Sequence, residues 1–282
     1  MRREQALAKA CSLLREQGKE ESIARFLLMY LLDEKPNKFI NKYKEDLTKE
    51  IIDKYFLLIN EHIKYNKPLS HLVGFDYFYD RKFKVTTAVL SPRMETEELV
   101  YKVVDYIRSN NLNNIKILDL CTGSGIIAIT LKKELSDLNI NVTASDISDE
   151  ALHIAKNNAL YHKENIQFIR SNIFENIYDN FDIIVSNPPY ISYDYKENMT
   201  SDVLDYDPHL ALFAEEDGMY FYREILENAV DYLTNNGLIF FEIGYDQKEK
   251  LEKLAHLNNY DVNIYKDING RDRIAKLKNK IN

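Results

Sequence analysis

The spacing of apolar residues predicts an all-helical first part of the chain. Over about the first 66 residues, apolar side chains recur at helical intervals, and Pro36 interrupts the pattern. A further helix with apolar residues from Ile51 to Ile59 ends at Asn66-Lys67-Pro68. We predict that residues 1–67 form a small helical bundle used for packing or partner recognition.

A period of two replaces the helical period in residues 68–90. Apolar and polar residues alternate there, the apolar ones being Phe75, Tyr77, Tyr79, Phe83 and Val85. This alternation is typical of a β-hairpin, and we place its turn at Asp80-Arg81-Lys82. Residues 68–90 are therefore predicted to be a hairpin linker between two domains.

Strands and helices alternate from about Ser91 onward, as in a parallel sheet covered by helices on both faces. The predicted helices cover residues 95–109, 126–135, 151–161 and 220–234. The predicted strands cover residues 115–120, 142–146, 166–169, 181–186 and 238–243. Two last strands, 260–265 and 273–277, are close enough in sequence to pair antiparallel at an edge. We predict one α/β domain over residues 91–282.

Composition narrows the class of protein without identifying it. The chain has 282 residues, 45% of them hydrophobic and 29% charged, as in ordinary globular proteins. The formal net charge of -8 argues against direct nucleic-acid binding, which needs a basic face. Cys11 and Cys121 are too few for a disulfide framework or a zinc site, and no apolar run is long enough to span a membrane. We expect a cytoplasmic monomer that binds neither a metal nor a membrane.

The segment Ile117–Ile126 combines an apolar strand, a glycine loop and a helix start. In an open α/β sheet, a ligand binds beyond the carboxyl end of such a strand. Gly123 and Gly125 let the backbone approach that ligand closely. Ala128 stands where dinucleotide-binding loops carry a third glycine, a tolerated variant, so the loop alone leaves a nicotinamide or flavin cofactor open.

Asp146 ends the second strand of the predicted sheet, about twenty residues after the loop. An acid at this place can accept hydrogen bonds from both hydroxyls of a ribose. The other role for such an acid is to cap the next helix, for which Ser148 is better suited. We predict that Asp146 binds the ribose of a cofactor.

The fourth strand leads into Asn187-Pro188-Pro189-Tyr190, a segment that resembles the signature of amino-methyltransferases acting on amide or exocyclic amine nitrogens. Such a nitrogen is a poor nucleophile because its lone pair is delocalised. The Asn187 side-chain oxygen and the Pro188 carbonyl oxygen can accept its two N–H groups and orient it toward a methyl group. The Tyr190 ring can stack on the planar group and hold it in line.

The resemblance extends along the whole chain. The segments that carry it are Pro68–Gly74, Leu90–Glu97, Asp207–Leu212, Glu216–Gly218, Glu242–Gln247 and Asp267–Arg273. With them, the chain resembles the PrmC or HemK family of protein-glutamine methyltransferases, which modify peptide-chain release factors. The helical first part is similar in layout more than in residues.

This resemblance implies a class I S-adenosylmethionine (SAM)-dependent methyltransferase fold, with a Rossmann-like seven-stranded sheet and a small N-terminal helical domain that helps to dock the substrate. It implies methyl transfer to the glutamine of the Gly-Gly-Gln motif in class-1 release factors, with S-adenosylhomocysteine as the product. The catalytic residues that it implies are Asn187, Pro188, Pro189 and Tyr190. The cofactor-binding residues that it implies are Asp119, Cys121, Thr122, Gly123, Ser124, Gly125, Asp146, Asn172, Ile173 and Asn187.

Three residues depart from the family pattern. Cys121 replaces the glycine that opens the loop, Asn172 stands where an aspartate is common, and Met94 replaces a proline. We expect a small side chain to fit at Cys121 and Asn172 still to accept a hydrogen bond from the adenine amine. Met94 loosens a turn without removing a chemical group.

Two other functions stay open on the sequence alone. The first is the same chemistry on a ribosomal-protein glutamine or a nucleic-acid base amine; the acidic charge and the lack of an inserted base-recognition domain weigh against the base amine. The second is a SAM-binding protein without catalysis, which would not need an intact Asn187–Tyr190 segment.

Overall fold

The protein divides into two compact units in the computed structural model, which describes residues 1–34 and 36–280. The first unit contains Met1–Phe75 together with Thr200–Tyr206, and the second contains Asp76–Met199 together with Asp207–Asn282. Within the described residues, no helix is both long and apolar enough to cross a membrane.

The first unit is helical, as predicted. Its helices are α1 (Arg3–Glu16), α2 (Ser22–Leu31), α3 (Pro36–Ile40), α4 (Lys49–Tyr65), α5 (Leu69–Val73) and α9 (Ser201–Tyr206). The amphipathic faces of α1, α2 and α4 meet in a core that includes Leu14, Leu27 and Ile59. The buried Tyr55 hydroxyl donates to the carbonyl oxygen of Ala24 over 2.8 Å, so α4 is also tied to α2 by a polar contact.

The hairpin prediction is partly wrong, because α5 occupies the beginning of the segment that we assigned to it. The hairpin itself consists of β1 (Phe75–Phe78) and β2 (Arg81–Lys84). Its turn is Tyr79-Asp80, one residue earlier than predicted. Both turn residues have positive φ, 51° and 56°, as a two-residue turn requires if it is to match the twist of the strands.

The second unit contains a seven-stranded sheet. Its strands in spatial order are β10 (Tyr260–Lys266), β11 (Asp272–Asn279), β9 (Leu233–Glu242), β6 (Phe181–Ser186), β3 (Ile115–Leu120), β4 (Ile140–Asp146) and β5 (Gln167–Arg170). From β9 to β5 the neighbouring strands are parallel, and β11 is antiparallel to both β9 and β10. The predicted seven-stranded Rossmann-like sheet with an antiparallel edge is confirmed.

Helices cover both faces of this sheet. The long ones are α6 (Met94–Ser109), α7 (Ile126–Glu134), α8 (Asp149–His162), α12 (Tyr220–Asn228) and α13 (Lys248–Leu257). Successive residues of β3 serve two separate cores, Ile117 on one face and Leu118 on the other, because side chains alternate along a strand. This arrangement explains why the strands are apolar throughout.

One predicted helix is too long. The interval 220–234 contains α12, which ends at Asn228, then a short 3-10 turn, and β9 begins at Leu233. Leu233 pairs with Phe181 of β6, so sheet pairing takes over where the apolar spacing still looks helical. The unpredicted elements include α9, α13 and the short segments β7 (Ile191–Ser192), α10 (His209–Leu212), β8 (Phe213–Ala214) and α11 (Glu215–Gly218).

Candidate active site

A cavity of about 430 Å³ lies beyond the carboxyl ends of β3, β4 and β6. Its volume is within the usual range of small-molecule sites. The predicted site residues that line it are Cys121, Thr122, Gly123, Ser124, Asp146, Asn172, Ile173, Asn187 and Pro189. The remaining predicted residues do not line it, although the structure describes all of them: Asp119, Gly125, Pro188 and Tyr190.

The glycine loop at this cavity uses its two glycines differently. A side chain on Gly123 would meet nothing within 4 Å, so this backbone is open to a ligand. A Cβ on Gly125 would lie 3.1 Å from the Cβ of Ala155 and 3.2 Å from Ile129, so this glycine lets the loop pack closely on α8. Open space therefore lies beside Gly123 only, and the approach of a ligand to either glycine stays a prediction.

Cys121 has a φ of +59°, in the left-handed region that favours glycine. A side chain there costs on the order of 1–2 kcal/mol, which the neighbouring structure must offset. Burial, with the charge of Asp146 adding to it, raises the pKa of the Cys121 thiol. The thiol stays protonated at neutral pH and is a poor nucleophile, so Cys121 occupies the place of a glycine without adding chemistry.

Asp119 lies beneath the loop and not in the cavity, with 0% of its surface exposed. Its Oδ2 accepts hydrogen bonds from the Thr122 hydroxyl at 2.6 Å and from the Ala128 backbone N–H at 3.1 Å. Burial raises the pKa of Asp119 to about 7. Asp119 therefore supports the loop and the start of α7 from behind, a different position from the one expected of a cofactor-binding residue.

Asp146 faces the cavity with its carboxylate held by backbone N–H groups. Gly123 donates to Oδ2 and Ser148 donates to Oδ1, each over 2.9 Å. The Ser148 hydroxyl accepts from the backbone N–H of Ala151, so Ser148 caps α8 as predicted. Burial raises the pKa of Asp146. Each carboxylate oxygen keeps a lone pair for a second donor, which suits a pair of neighbouring hydroxyls.

Asn172 and Ile173 are presented to the cavity by a strained turn. Ile173 has a φ of +50°, an unusual backbone conformation for a β-branched residue. The Ser171 hydroxyl donates to the Ile173 carbonyl oxygen at 2.9 Å and accepts from the Asn176 N–H at 3.0 Å. Our sequence reasoning missed Ser171, which holds this turn in place.

Two segments singled out in the sequence meet at the wall of the cavity. Asp207 is buried, and its carboxylate accepts from Arg93 at 2.6 Å and from the Ser91 backbone N–H at 3.2 Å. The lining residues from these two segments are Leu90, Ser91, Arg93, Thr96, Pro208, His209, Leu210 and Ala211. No spacing rule identifies them as neighbours, since they are brought together only by the fold.

The Asn187–Tyr190 segment separates this cavity from a second one. Asn187 and Pro189 face the first cavity, and Tyr190 lines the second, which has a volume of about 390 Å³. Gln247 donates to the Tyr190 backbone oxygen over 2.8 Å and so fixes the end of the segment. Arg273 and Lys250 also line the second cavity.

A buried carboxyl lies behind the same segment. The Glu242 carboxylate accepts from the Thr96 hydroxyl at 2.6 Å and from the Tyr190 hydroxyl at 3.4 Å. Asn187 in turn donates its side-chain N–H to the Thr96 hydroxyl oxygen over 3.2 Å. Burial raises the pKa of Glu242 to about 7. Asn187, Thr96, Glu242 and Tyr190 thus form one hydrogen-bonded chain.

The two buried carboxyls predict how stability depends on pH. The folded pKa of Asp119 and of Glu242 is about 7, against about 4 in an unfolded chain. Between these values the folded state binds more protons, so the free energy of unfolding of the ligand-free protein should fall as the pH rises from about 4 to about 7. Calorimetric unfolding across this interval measures the effect. Glu242→Gln should flatten the dependence, and a free energy that rises with pH in wild type would contradict the prediction.

Gly218 lies directly against the Asn187–Tyr190 segment, at the backbone of Tyr190. Its φ is +81°, and a Cβ there would lie 2.2 Å from the Tyr190 carbonyl oxygen. We expect Gly218→Ala to lower the free energy of unfolding by more than about 2 kcal/mol, because backbone strain and overpacking add. The matched control is Gly270→Ala, since Gly270 has a φ of +77° and a Cβ there would have no atom within 4 Å. Equal losses in the two variants, measured by denaturant unfolding, would show that the close approach to Tyr190 has no cost.

The first cavity has the donors and acceptors that a nucleoside cofactor needs. The Asp146 carboxylate and the open Gly123 backbone lie in its wall, and so does Ser124, whose buried hydroxyl has no hydrogen-bond partner among the described residues. Within residues 1–34 and 36–280, which the structure describes, no cluster of three or more His, Cys, Asp or Glu side chains could hold a metal ion. The residues present therefore fit the expected cofactor.

Two family models match separate parts of the chain. Residues 101–205 match the methyltransferase small domain, and residues 5–74 match the PrmC N-terminal domain. A protein of Lactococcus lactis named release factor glutamine methyltransferase is 42% identical over 85% of this chain and 87% of its own length. A protein of Streptococcus pneumoniae with the same name is 40% identical over 92% of each chain.

Solved structures add evidence on the fold alone. The ribosomal protein L11 methylase of Lactobacillus delbrueckii superposes with a TM-score of 0.51 at 22% sequence identity. The superposition covers 68% of this chain and 81% of that one.

Proposed function

Because the chain belongs to the family of release factor glutamine methyltransferases, we propose that it transfers a methyl group from SAM to the side-chain amide nitrogen of the glutamine in the Gly-Gly-Gln motif of class-1 release factors. The expected class I SAM-dependent methyltransferase fold agrees with the seven-stranded sheet and with the superposition. The observation that carries the proposal is that Asp146 and Asn187 line one cavity.

In this proposal, the cofactor lies along the carboxyl ends of β3 and β4. Asp146 accepts hydrogen bonds from the ribose hydroxyls, and Asn172 and Ile173 lie beside the adenine. The loop from Cys121 to Gly125 borders the methionine part, with Asp119 stiffening it from below. Bound SAM supplies a methyl group on a positively charged sulfur, which a weak nucleophile can attack.

Asn187 and Pro188 orient the substrate amide. The Asn187 side-chain nitrogen donates a hydrogen bond to the Thr96 hydroxyl oxygen. The Asn187 side-chain oxygen is therefore left to accept one N–H of the substrate glutamine. The Pro188 carbonyl oxygen accepts the other. Both acceptors stabilise the positive charge that develops on the nitrogen as the new bond forms, and one of the two protons leaves afterwards. Tyr190 lines the second cavity, on the other side of the segment, and its hydroxyl is neutral because burial raises its pKa.

The parts of the chain have separate roles in this proposal. Residues 1–67 help to dock the release factor, and residues 68–90 link the two domains. Residues 91–282 bind SAM and catalyse the methyl transfer. The match of residues 5–74 to the PrmC N-terminal domain supports a separate domain in this part of the chain. We propose further that the protein acts in the cytoplasm as a monomer, without a metal and without direct nucleic-acid contact; its net charge of -8 supports the last point.

The test uses methyl-labelled SAM, the purified protein and a class-1 release factor. A parallel reaction uses the same release factor with alanine in place of the Gly-Gly-Gln glutamine. Label in the first reaction and none in the second is the expected result. Label in both would move the target to another residue of the release factor. Label in neither, with SAM binding verified by calorimetry, would contradict the proposed substrate and direct the search to ribosomal-protein glutamines and nucleic-acid amines.

A further inference from the structure

We propose that Thr96 and Glu242 are positioning residues that hold the Asn187 side-chain amide with its oxygen toward the substrate and its nitrogen away from it. The inference rests on the proposed function, in which the Asn187 oxygen accepts an N–H of the substrate amide. The Asn187 amide has two orientations of nearly the same shape, and the site must select one of them.

The selection is needed because an asparagine amide is chemically two-ended. Its oxygen accepts hydrogen bonds and its NH2 group donates them, while the two ends occupy almost the same volume. A half-turn of the Asn187 amide would put donors opposite the donors of the glutamine amide. Steric packing cannot discriminate between these two states, so a polar contact must.

Thr96 supplies that contact. It is 2% exposed, and its hydroxyl donates to the Glu242 carboxylate over 2.6 Å. The ionised form of Glu242, which predominates above about pH 7, only accepts hydrogen bonds, so in that form the one proton of the Thr96 hydroxyl is committed to Glu242. The Thr96 oxygen can then only accept from Asn187, which lies 3.2 Å away and must turn its NH2 group toward it.

Glu242 is held so that it keeps this role. It is the last residue of β9 and is 2% exposed. The Tyr190 hydroxyl donates to its other carboxylate oxygen, and the Tyr222 hydroxyl donates to its backbone carbonyl oxygen over 2.8 Å. One carboxylate therefore controls Asn187 through Thr96 and contacts Tyr190 directly.

The location of Glu242 costs stability, which argues for a function. Burial disfavours the charged form of Glu242, and the charge of Glu95 adds to this effect; the hydrogen bond from Thr96 and the charge of Arg273 offset it only in part. A neutral glutamine would fill the same volume without that cost. Perturbed buried acids of this kind concentrate at functional sites.

The experiment compares Thr96→Val with Thr96→Ser. Valine keeps the shape and removes the hydroxyl, whereas serine keeps the hydroxyl. We expect Thr96→Val to lower kcat on the order of 10- to 100-fold, as for a lost buried hydrogen bond, with the Kd of SAM unchanged. Thr96→Ser should recover most of the loss. The matched control is Thr130→Val, because Thr130 is also buried but its hydroxyl has no partner among the described residues. Full kcat in Thr96→Val would overturn the inference.

Glu242→Gln tests the other link of the chain. A glutamine at this position can donate to the Thr96 oxygen, which frees the Thr96 proton for Asn187 and favours the turned amide. We expect a fall in kcat of similar size, in a protein at least as stable as wild type above about pH 7. Wild-type kcat in this variant would also overturn the inference, even if Thr96→Val failed to fold.

A spectroscopic arm separates this inference from the proposed function. In protein with ¹⁵N-labelled asparagine, the Asn187 NH2 signals are assigned by their loss in Asn187→Asp. They should be protected from hydrogen exchange in wild type and in Thr96→Ser, and exposed to it in Thr96→Val. This pattern with no methyl transfer to any release factor would retain the inference and reject the substrate. Equal protection in all three proteins would reject the inference whatever the substrate is.

Discussion

Replacing Asn187 with alanine is expected to lower methyl transfer by at least about 100-fold while leaving the Kd of SAM within about threefold of wild type. The side chain is an acceptor for the substrate amide in our proposal, and the interaction strengthens as positive charge develops on the nitrogen. Its loss therefore affects the transition state more than the bound cofactor. Transfer of labelled methyl groups gives kcat, and calorimetry gives the affinity for SAM.

The control for this prediction is Asn180→Ala. The Asn180 side chain also donates one hydrogen bond, to the Asp231 carbonyl oxygen, but it is exposed. That variant should keep wild-type kcat. Turnover of Asn187→Ala within about tenfold of wild type would remove Asn187 from the catalytic machinery, because the loss of an oriented acceptor costs more than that.

Asp146→Ala is expected to weaken SAM binding by about 1–3 kcal/mol, which corresponds to roughly a 5- to 150-fold rise in Kd. The carboxylate would lose its hydrogen bonds to the ribose hydroxyls. It would also release the backbone N–H groups of Gly123 and Ser148, so the loop and the start of α8 would lose a common anchor. Titration calorimetry with SAM measures the change directly.

Two further variants isolate the ribose contact from the anchor. Asp146→Asn keeps the side-chain volume and one acceptor, so it should fall between wild type and alanine. Asp149→Ala removes a neighbouring exposed carboxylate that pairs with Arg170 and should leave the affinity unchanged. Wild-type affinity in Asp146→Ala would refute the assignment of Asp146 to the ribose.

The sheet could be predicted because its signals are local. Strands buried on both faces are apolar runs, and β3 and β4 are each followed by a helix with its own period. The loop glycines and Asp146 follow strand ends, where ligands bind in such folds, so their cavity could be anticipated as well. The end of α12 at Asn228 could not be predicted, because apolar residues continue at helical spacing until pairing with Phe181 begins at Leu233.

The support of the site could not be predicted, because it depends on contacts between distant residues. Thr96 and Glu242 are separated by 146 positions and meet only because α6 packs against the sheet beside β9. The sequence shows a threonine in a helical first turn and a glutamate near the end of an apolar strand, both of which have ordinary explanations. The turn at Tyr79 was missed for a related reason, since tyrosine rarely adopts a positive φ.

The first unit is built from two separate stretches of the chain, which affects the order of folding during synthesis. Its last helix, α9, is encoded after β3, β4, β5 and β6, and within the unit Tyr206 donates to the Tyr65 carbonyl oxygen over 3.0 Å. A ribosome therefore releases five helices of this unit early and the sixth only after four strands of the sheet have emerged. Domains that are contiguous in sequence fold one after another from the N-terminus, whereas α9 can join its unit only after these four strands have been made. Cutting it after Phe75 would likewise leave residues 200–206 without the helices that they pack on.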